Sequence, residues 1–226
     1  QIETQPTRFF RYEVGPRIRA GSSVAARLLN ASESDVVFVT NAIYGINVAL
    51  QSVTFVPGDE ILVTDHAYTA MRFAVEHRSK ATGAQVVVAV LPFPRCKQDH
   101  LINAVVSQVT PRTKFIALDH ITSISATLMP VEKLVAACRA RNKDALIFVD
   151  GAHAVGQIVV DITRIGPDFY VGNAHKWLCG GRGCAILYVR PSLQADVHPL
   201  SISSTYGTGF TGEFDYIGLA DYAPML

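Results

Sequence analysis

Short apolar runs alternate with helix-length amphipathic segments along the middle of this 226-residue chain. The strand-sized runs are residues 36–40, 60–65, 85–91, 114–119, 145–150, 168–171 and 184–189. Segments with a helical spacing of apolar residues lie between them, at residues 42–53, 68–81, 100–109 and 131–142. Strands that are apolar on both faces and connected by helices are typical of parallel sheets covered on both sides. The pattern therefore predicts a three-layer α/β/α fold with a mostly parallel sheet.

No internal repeat or low-complexity linker divides the chain, so we predict one domain over residues 1–226. It comprises an N-terminal segment at residues 1–30, an α/β core at residues 35–190 and a final segment at residues 191–226. The chain begins with Gln1 and ends at Leu226 within an apolar and aromatic stretch. We therefore expect it to be part of a longer protein.

Composition indicates a folded core and argues against several kinds of partner. Hydrophobic residues make up 49% of the chain and charged residues only 17%, which is unlike a disordered protein. With a net charge of +1 and no run of Lys or Arg, we expect no nucleic-acid partner. The apolar runs are far shorter than a membrane span, so we expect no membrane partner.

Four cysteines bear on metal binding and on cellular compartment: Cys96, Cys138, Cys179 and Cys184. Their spacing does not match that of metal ligands, and we expect no metal site. The favoured interpretation is that they are buried free thiols in a reducing compartment. We therefore expect a cytoplasmic protein.

Polar residues directly follow five of the predicted strands. These strand ends are residues 40–42, 65–68, 119–123, 150–153 and 173–176, and four histidines lie among them. In open α/β sheets, ligands bind outside the carboxyl ends of the parallel strands. The five segments are therefore the candidate functional site.

An acid and a lysine at two of these strand ends indicate a particular chemistry. Asp150 follows a buried strand, and a buried carboxylate is costly unless it is paired. It could pair with a protonated pyridine nitrogen, or it could be an ordinary turn residue in Asp-Gly. Lys176 lies in a segment with few charges, where a lysine is nucleophilic towards aldehydes, although it could also be an exposed turn lysine. Together the two residues favour pyridoxal 5'-phosphate as cofactor.

Other strand-end residues could complete such a site. The first predicted helix opens at Ala42 and Ile43, where backbone N–H groups could bind a phosphate. Either Tyr68 or His66 could stack on the cofactor ring, although Tyr68 could equally be a packing residue. The hydroxyls of Thr122 and Ser123, and the ring of His153, could reach a ring oxygen; a simple turn and a core histidine are the alternatives. The chain has no G-x-G-x-x-G after its first strand, no G-x-x-x-x-G-K-S/T and no G-x-S-x-G, which disfavours dinucleotide-binding, P-loop and α/β-hydrolase proteins.

Taken together, these motifs resemble the class V aminotransferase family, pyridoxal-phosphate-dependent enzymes of fold type I. Within the family, the chain is most similar to the isopenicillin N epimerase-like branch, which is related to the cysteine desulfurases. The matching stretches are residues 6–10, 39–42, 64–68, 119–123, 150–156, 173–178, 211–216 and 221–224. The combination of Asp-Gly-Ala-His at residues 150–153 with Asn-Ala-His-Lys-Trp at residues 173–177 is the most specific part of the resemblance.

The resemblance implies a role for each matched residue. Lys176 would be the Schiff-base lysine, Asp150 the partner of the pyridine nitrogen, and His153 a neighbour of the phenolic oxygen beside Ser123 or Thr122. The remaining implied cofactor contacts are Asn173 and His175 with the backbone of Ala42 and Ile43 at the phosphate, and Tyr68, or His66 as second choice, stacked on the ring.

Two departures from the family pattern remove hydroxyl groups from the implied phosphate site. The family often has a threonine where this chain has Ile43, and often has Gly-Thr where this chain has Gly218-Leu219. A neutral hydrogen bond contributes about 0.5–1.5 kcal/mol and one to a charged group more. We therefore expect weaker cofactor binding than in a family member that keeps both hydroxyls.

The resemblance implies an enzyme acting at Cα or Cβ of an amino acid, as an epimerase, a C–S lyase or desulfurase, or an aminotransferase. It also implies a homodimer, a small amino-acid-type substrate and a C-terminal small domain that this chain lacks. The substrate-carboxylate arginine and any nucleophilic cysteine would lie beyond Leu226. The alternative is a non-catalytic binding or regulatory protein that keeps the fold.

Overall fold

A computed structural model describes residues 3–94 and 97–226, and a seven-stranded sheet forms its centre. The strands are β1 (Val36–Val39), β2 (Glu60–Thr64), β3 (Gln85–Ala89), β4 (Thr113–Asp119), β5 (Leu146–Asp150), β6 (Phe169–Asn173) and β7 (Ala185–Val189). Their order across the sheet is β1-β7-β6-β5-β4-β2-β3. Neighbouring strands from β3 to β6 are parallel, and β7 is antiparallel to both β6 and β1. Because β7 is antiparallel to both of its neighbours, β1 and β6 run in the same direction. All strands except β7 therefore have their carboxyl ends at one edge of the sheet.

Helices lie before, between and after these strands, except between β6 and β7, and the predicted elements are present with ends shifted by only a few residues. They are α1 (Val14–Leu28), α2 (Ala42–Ser52), α3 (Thr69–Thr82), α4 (Gln98–Val106), α5 (Val131–Arg141), α6 (Ile162–Ile165) and α7 (Phe210–Asp215). Shorter helical segments are Pro6–Arg8, the π-helical Phe9–Glu13, and the 3-10 segments Glu33–Asp35, Pro191–Asp196 and Ala223–Met225.

The sheet is apolar on both faces because successive strand residues point to opposite sides. On β5, Ile147 and Val149 pack with buried residues of α1, α4, α5 and α6. Phe148, between them in sequence, packs on the opposite face with residues of α2, α3 and α7. Two cores separated by one sheet confirm the predicted three-layer α/β/α fold.

The two ends of the described chain pack on each other. Phe9, Val14 and Ile18 form a third cluster with Tyr222 and Met225. This contact places residues of the final segment beside the N-terminal helices and next to β7.

The cysteines differ in exposure, which corrects one expectation. Cys138 and Cys184 are buried free thiols, as expected, but Cys179 is an exposed free thiol. It precedes Gly180 and Gly181 in the segment between β6 and β7, and Cys96 lies outside the described residues. Within residues 3–94 and 97–226, no helix has the length and hydrophobicity needed to cross a membrane.

Candidate active site

The carboxyl edge of the sheet contains a cleft of about 200 Å³. Its lining residues come from the ends of β1, β2, β4, β5 and β6 and from the segments that follow them. They are Asn41, Ala42, Ile43, Tyr68, Asp119, Ile121, Ser123, Asp150, Ala152, His153, Asn173, His175 and Lys176. Nine of the eleven site residues predicted from the sequence are in this set.

Asp150 is the last residue of β5 and is buried at the base of the cleft. One carboxylate oxygen accepts a hydrogen bond from the backbone N–H of Ala152 at 2.9 Å. Burial raises the pKa of Asp150, whereas the Ala152 N–H and the nearby Lys176 lower it. A cationic group placed in the cleft would therefore stabilise the ionised form of this acid.

The amine of Lys176 contacts the imidazole of His153. Lys176 Nζ lies 3.1 Å from His153 Nε2, and the indole Nε1 of Trp177 lies 3.4 Å from His153 Nδ1. Because an indole N–H can only donate, Nδ1 is assigned as the acceptor and Nε2 carries the single proton of a neutral ring. Nε2–H then donates to the lone pair of an uncharged amine.

Burial shifts the pKa values of both groups in this pair. Burial lowers the pKa of Lys176, although the charge of Asp150 partly opposes the change. Burial, together with the positive charge of Lys176, also lowers the pKa of His153. Both shifts favour the neutral forms, and an uncharged lysine amine is the nucleophilic form.

The N-terminus of α2 forms the opposite end of the cleft. The side-chain oxygen of Asn173 accepts from the Ala42 N–H at 2.9 Å, and that of Asn41 accepts from the Tyr44 N–H at 2.8 Å. The Gly45 N–H donates to the Asn41 carbonyl, so three of the first four N–H groups of α2 have acceptors. The fourth belongs to Ile43, which lines the cleft, and helix N-termini of this kind bind anions.

His175 extends this end of the cleft. Its Nδ1 lies 2.9 Å from the carbonyl oxygen of Cys184, which can only accept a hydrogen bond. Nδ1 therefore carries a proton, and Nε2 is available to a ligand. Because the antiparallel pairing of β6 and β7 aligns Asn173 with Ala185, Cys184 lies beside His175 and orients its ring.

Three glycines allow close packing between residues 150–156 and residues 170–177. A Cβ at Gly151 would lie 2.0 Å from the Tyr170 hydroxyl oxygen, and one at Gly172 would lie 2.3 Å from a methyl of Val155. Gly156 has φ +88° and would place a Cβ 2.6 Å from the carbonyl carbon of Trp177. Glycine at these positions lets the Asp150 and Lys176 segments approach each other closely.

Two predicted residues lie outside the cleft lining. His66 Nδ1 lies 2.7 Å from Ser125 Oγ, and the His66 ring packs edge-on against Phe93. Thr122 is buried; its hydroxyl oxygen lies 2.7 Å from Ser125 Oγ and accepts from the Thr127 N–H at 2.8 Å. Thr122 therefore stabilises the turn after β4, while its neighbour Ser123 lines the cleft.

Four lining residues lie in the predicted strand-end segments but were given no role of their own: Asn41, Asp119, Ile121 and Ala152. Asp119 had a detectable signal, because it is an acid at the end of an apolar strand, as Asp150 is. The next residue, His120, faces the core instead, where Nδ1 lies 2.9 Å from the Tyr170 hydroxyl. Of the four strand-end histidines, only His153 and His175 line the cleft.

The chemistry of this donor set fits pyridoxal phosphate. Lys176 supplies an amine, Asp150 a buried acid, the N-terminus of α2 an anion site, and Tyr68 an aromatic ring. Among the residues that the structure describes, no group of three or more His, Cys, Asp or Glu side chains could hold a metal ion.

Comparisons with known proteins agree with this geometry. The chain is 34% identical over 239 residues to a probable chloroplastic L-cysteine desulfhydrase of Arabidopsis thaliana, covering 98% of this chain and 50% of that protein. It is 29% identical over 205 residues to an isopenicillin N epimerase of Streptomyces clavuligerus, covering 91% of this chain and 51% of that protein. The chain thus spans about half the length of these curated relatives.

The fold is also that of a solved structure. A complex between the cystine C–S lyase C-DES and its reaction product cysteine persulfide superposes with a TM-score of 0.85 at 20% identity, covering 94% of this chain and 58% of that one. The family model named aminotransferase class-V matches residues 15–221. The chain therefore belongs to the class V aminotransferase family of pyridoxal-phosphate-dependent proteins.

Proposed function

We propose that this protein is a pyridoxal-phosphate-dependent enzyme that acts at Cα or Cβ of an amino acid. The observation that carries the proposal is that Lys176 and Asp150 line one cleft, with the lysine amine hydrogen-bonded to His153. The names of the relatives favour cleavage of a C–S bond, because the Arabidopsis protein at 34% identity is called a cysteine desulfhydrase. Epimerisation is the second candidate, supported by the Streptomyces relative.

Each residue has a task in this chemistry. When bound, the cofactor withdraws electrons from Cα of the substrate amino acid. Asp150 would place a negative charge at the ring nitrogen, while Asn173, His175 and the N-terminus of α2 would hold the phosphate. Lys176, whose pKa burial lowers and whose amine contacts His153, would link to the cofactor and then move the Cα proton as a general base.

Cofactor uptake is the first test. Protein incubated with pyridoxal phosphate and then desalted should show the near-visible absorption band of the lysine-linked cofactor. Lys176→Ala should lack the band, whereas Lys80→Ala, at an exposed position of α3, should keep it. If the unmodified protein never acquires the band, the proposal is wrong.

Exchange at Cα is the second test, because it separates turnover from binding alone. An enzyme should exchange the Cα hydrogen of an accepted amino acid with deuterium from solvent, as followed by NMR. C–S lysis of L-cysteine would also release sulfide, pyruvate and ammonia, whereas epimerisation would invert Cα without releasing sulfide. A cofactor-bound protein that exchanges no Cα hydrogen with any amino acid would support the non-catalytic alternative.

We further propose that the protein is a homodimer located in the cytoplasm. The aromatic side chains of Tyr68, which lines the cleft, and of Trp177 are exposed, and a partner copy would cover them. The described cysteines are free thiols, as expected in a reducing compartment. Light scattering coupled to size exclusion tests the dimer, and cell fractionation tests the location.

A further inference from the structure

Two buried carboxyl groups lie side by side at the ends of neighbouring strands. Asp119 ends β4, Asp150 ends β5, and the two residues are direct partners in the parallel register. Their exposed fractions are only 3% and 6%. Both side chains line the cleft, so the acid expected from the sequence is accompanied by a second one.

The surroundings of the two acids differ. Asp150 accepts from the Ala152 N–H and lies near Lys176. Only the backbone N–H groups of Asp119 itself and of Tyr68 lower the pKa of Asp119, and its Oδ2 atom is buried without a hydrogen-bond partner among the described residues. A buried carboxylate oxygen that lacks a donor is costly, whereas a protonated carboxyl can itself donate.

The charges in the cleft also indicate which of the two acids is protonated. Burial and the charge of Asp150 raise the pKa of Asp119 well above its usual range. Two ionised carboxylates at adjacent strand ends would repel each other, and the acid with fewer compensating groups takes the proton. Asp119 is that acid.

Building on the function proposed above, we propose that Asp119 is a positioning residue that keeps a proton beside Asp150. The pair then presents one negative charge, carried by Asp150, to the cationic ring nitrogen of the cofactor. The single negative charge of Asp150 then balances the positive charge of the ring nitrogen, and no second negative charge is buried beside it. The backbone N–H of Tyr68, a residue that lines the cleft, partly opposes the rise in the pKa of Asp119.

Other ionisable groups surround the pair and must be held constant in any test. The charge of Lys176 acts on Asp150, and His153 contacts Lys176. Tyr170 lies on β6 beside Asp150, whose charge contributes to its raised pKa, and the His120 ring contacts Tyr170. A comparison of Asp119→Asn with the unmodified protein removes one titration and leaves these groups in place.

The stability of the protein without cofactor provides the first test. An acid whose pKa is raised by folding is protonated more readily in the folded state, so stability falls as pH rises above the pKa of the unfolded chain. Asp119→Asn should therefore have a higher urea midpoint than the unmodified protein, and the difference should widen from pH 5 to pH 8. Asp144→Asn, at an exposed loop position, should show no widening. A difference that stays constant or reverses overturns the proposal.

Cofactor affinity provides the second test. Asp119→Asn keeps a side chain that can form hydrogen bonds but cannot ionise. Asp119→Leu replaces it with an apolar side chain of similar size. The expected order of affinity for pyridoxal phosphate places Asn above Leu by about tenfold, the effect of roughly one hydrogen bond. If Asn binds as weakly as Leu, Asp119 acts through a negative charge and the proposal is wrong. Should no variant take up the cofactor, the proposed function fails, while the urea measurement still decides the protonation of Asp119.

Discussion

Lys176 Nζ lies 3.1 Å from Nε2 of His153, although a turn, the short helix α6 and the whole of β6 separate the two residues in sequence. Trp177, which follows the lysine, reaches back to the other ring nitrogen of the same histidine. The imidazole is therefore held between the lysine amine and the indole. This arrangement fixes the histidine tautomer, and the tautomer in turn decides whether the lysine amine meets a donor or an acceptor.

Replacing Trp177 with Phe should raise the pKa of Lys176. Without the indole donor, His153 can carry its proton on Nδ1, and Nε2 can then accept from a charged ammonium. One hydrogen bond of about 0.5–1.5 kcal/mol corresponds to a several-fold fall in amine reactivity at a given pH. Acetylation of Lys176 in the cofactor-free protein, followed by mass spectrometry with exposed Lys80 as internal reference, measures the change. Equal rates in Trp177→Phe and the unmodified protein would contradict the assigned tautomer.

Gly156→Ala should destabilise the protein and displace the lysine segment. The substitution adds a positive-φ penalty of about 1 kcal/mol and a clash with the Trp177 backbone. Gly58→Ala is the matched control, because Gly58 also has a positive φ, +95°, but no atom within 4 Å of the added Cβ. Urea unfolding should show the larger loss for Gly156→Ala. Equal losses for the two variants would mean that the contact with Trp177 is unimportant.

His120→Asn should remove a pH dependence of stability. Burial lowers the pKa of His120 from 6.5 to about 4, so the folded protein resists protonation that the unfolded chain accepts. The contribution of neutral His120 to the free energy of unfolding is therefore fully present above pH 6.5. It is lost as the pH falls towards about 4, a change of about 3 kcal/mol in total. Asparagine can replace Nδ1 as the partner of the Tyr170 hydroxyl but does not titrate.

Urea unfolding at pH 7, 5 and 4 tests this prediction. His120→Asn should lose less stability on acidification than the unmodified protein. His77→Asn, at an exposed position of α3, should retain the full dependence. Parallel curves for His120→Asn and the unmodified protein would show that another group causes the acid sensitivity.

Ile43→Thr should tighten cofactor binding. The side chain is in the lining of the cleft at the N-terminus of α2, where a hydroxyl could donate to a phosphate oxygen. Such a bond to a charged group contributes about 1.5 kcal/mol or more, which is a tenfold gain in affinity. Ile43→Val removes the same methyl without adding a hydroxyl and serves as the control. Titration with pyridoxal phosphate should rank Thr above Val; the reverse order would place the phosphate elsewhere.

The fold could be predicted almost entirely from local patterns. Apolar runs such as the one before Asp150 require burial on both faces, and the helical periodicity between runs supplies the covering layers. Asp150 and Lys176 were also identifiable, because each is a polar residue at the end of an apolar strand. Patterns of this kind depend on near neighbours in sequence.

Contacts within the site could not be predicted in the same way. Thr122 and Ser123 are adjacent, yet one closes a turn and the other lines the cleft, and only the conformation of that turn separates them. His66, the second choice for the stacking residue, contacts Ser125, and the strand-end residue His120 contacts Tyr170, so neither lines the cleft. Which way a strand-end side chain points depends on partners that are distant in sequence.

The amino-acid sequence by itself indicated the layered architecture, the edge of the sheet that contains the cleft, and the acid and lysine that line it. These features follow from hydrophobic periodicity and from the high cost of burying an unpaired charge. Only the tertiary structure decided that Asp119 lies beside Asp150. It also decided that the two ring nitrogens of His153 contact the Lys176 amine and the Trp177 indole. Strand order, register and close glycine packing set those contacts, and each of them joins segments that the chain itself keeps apart.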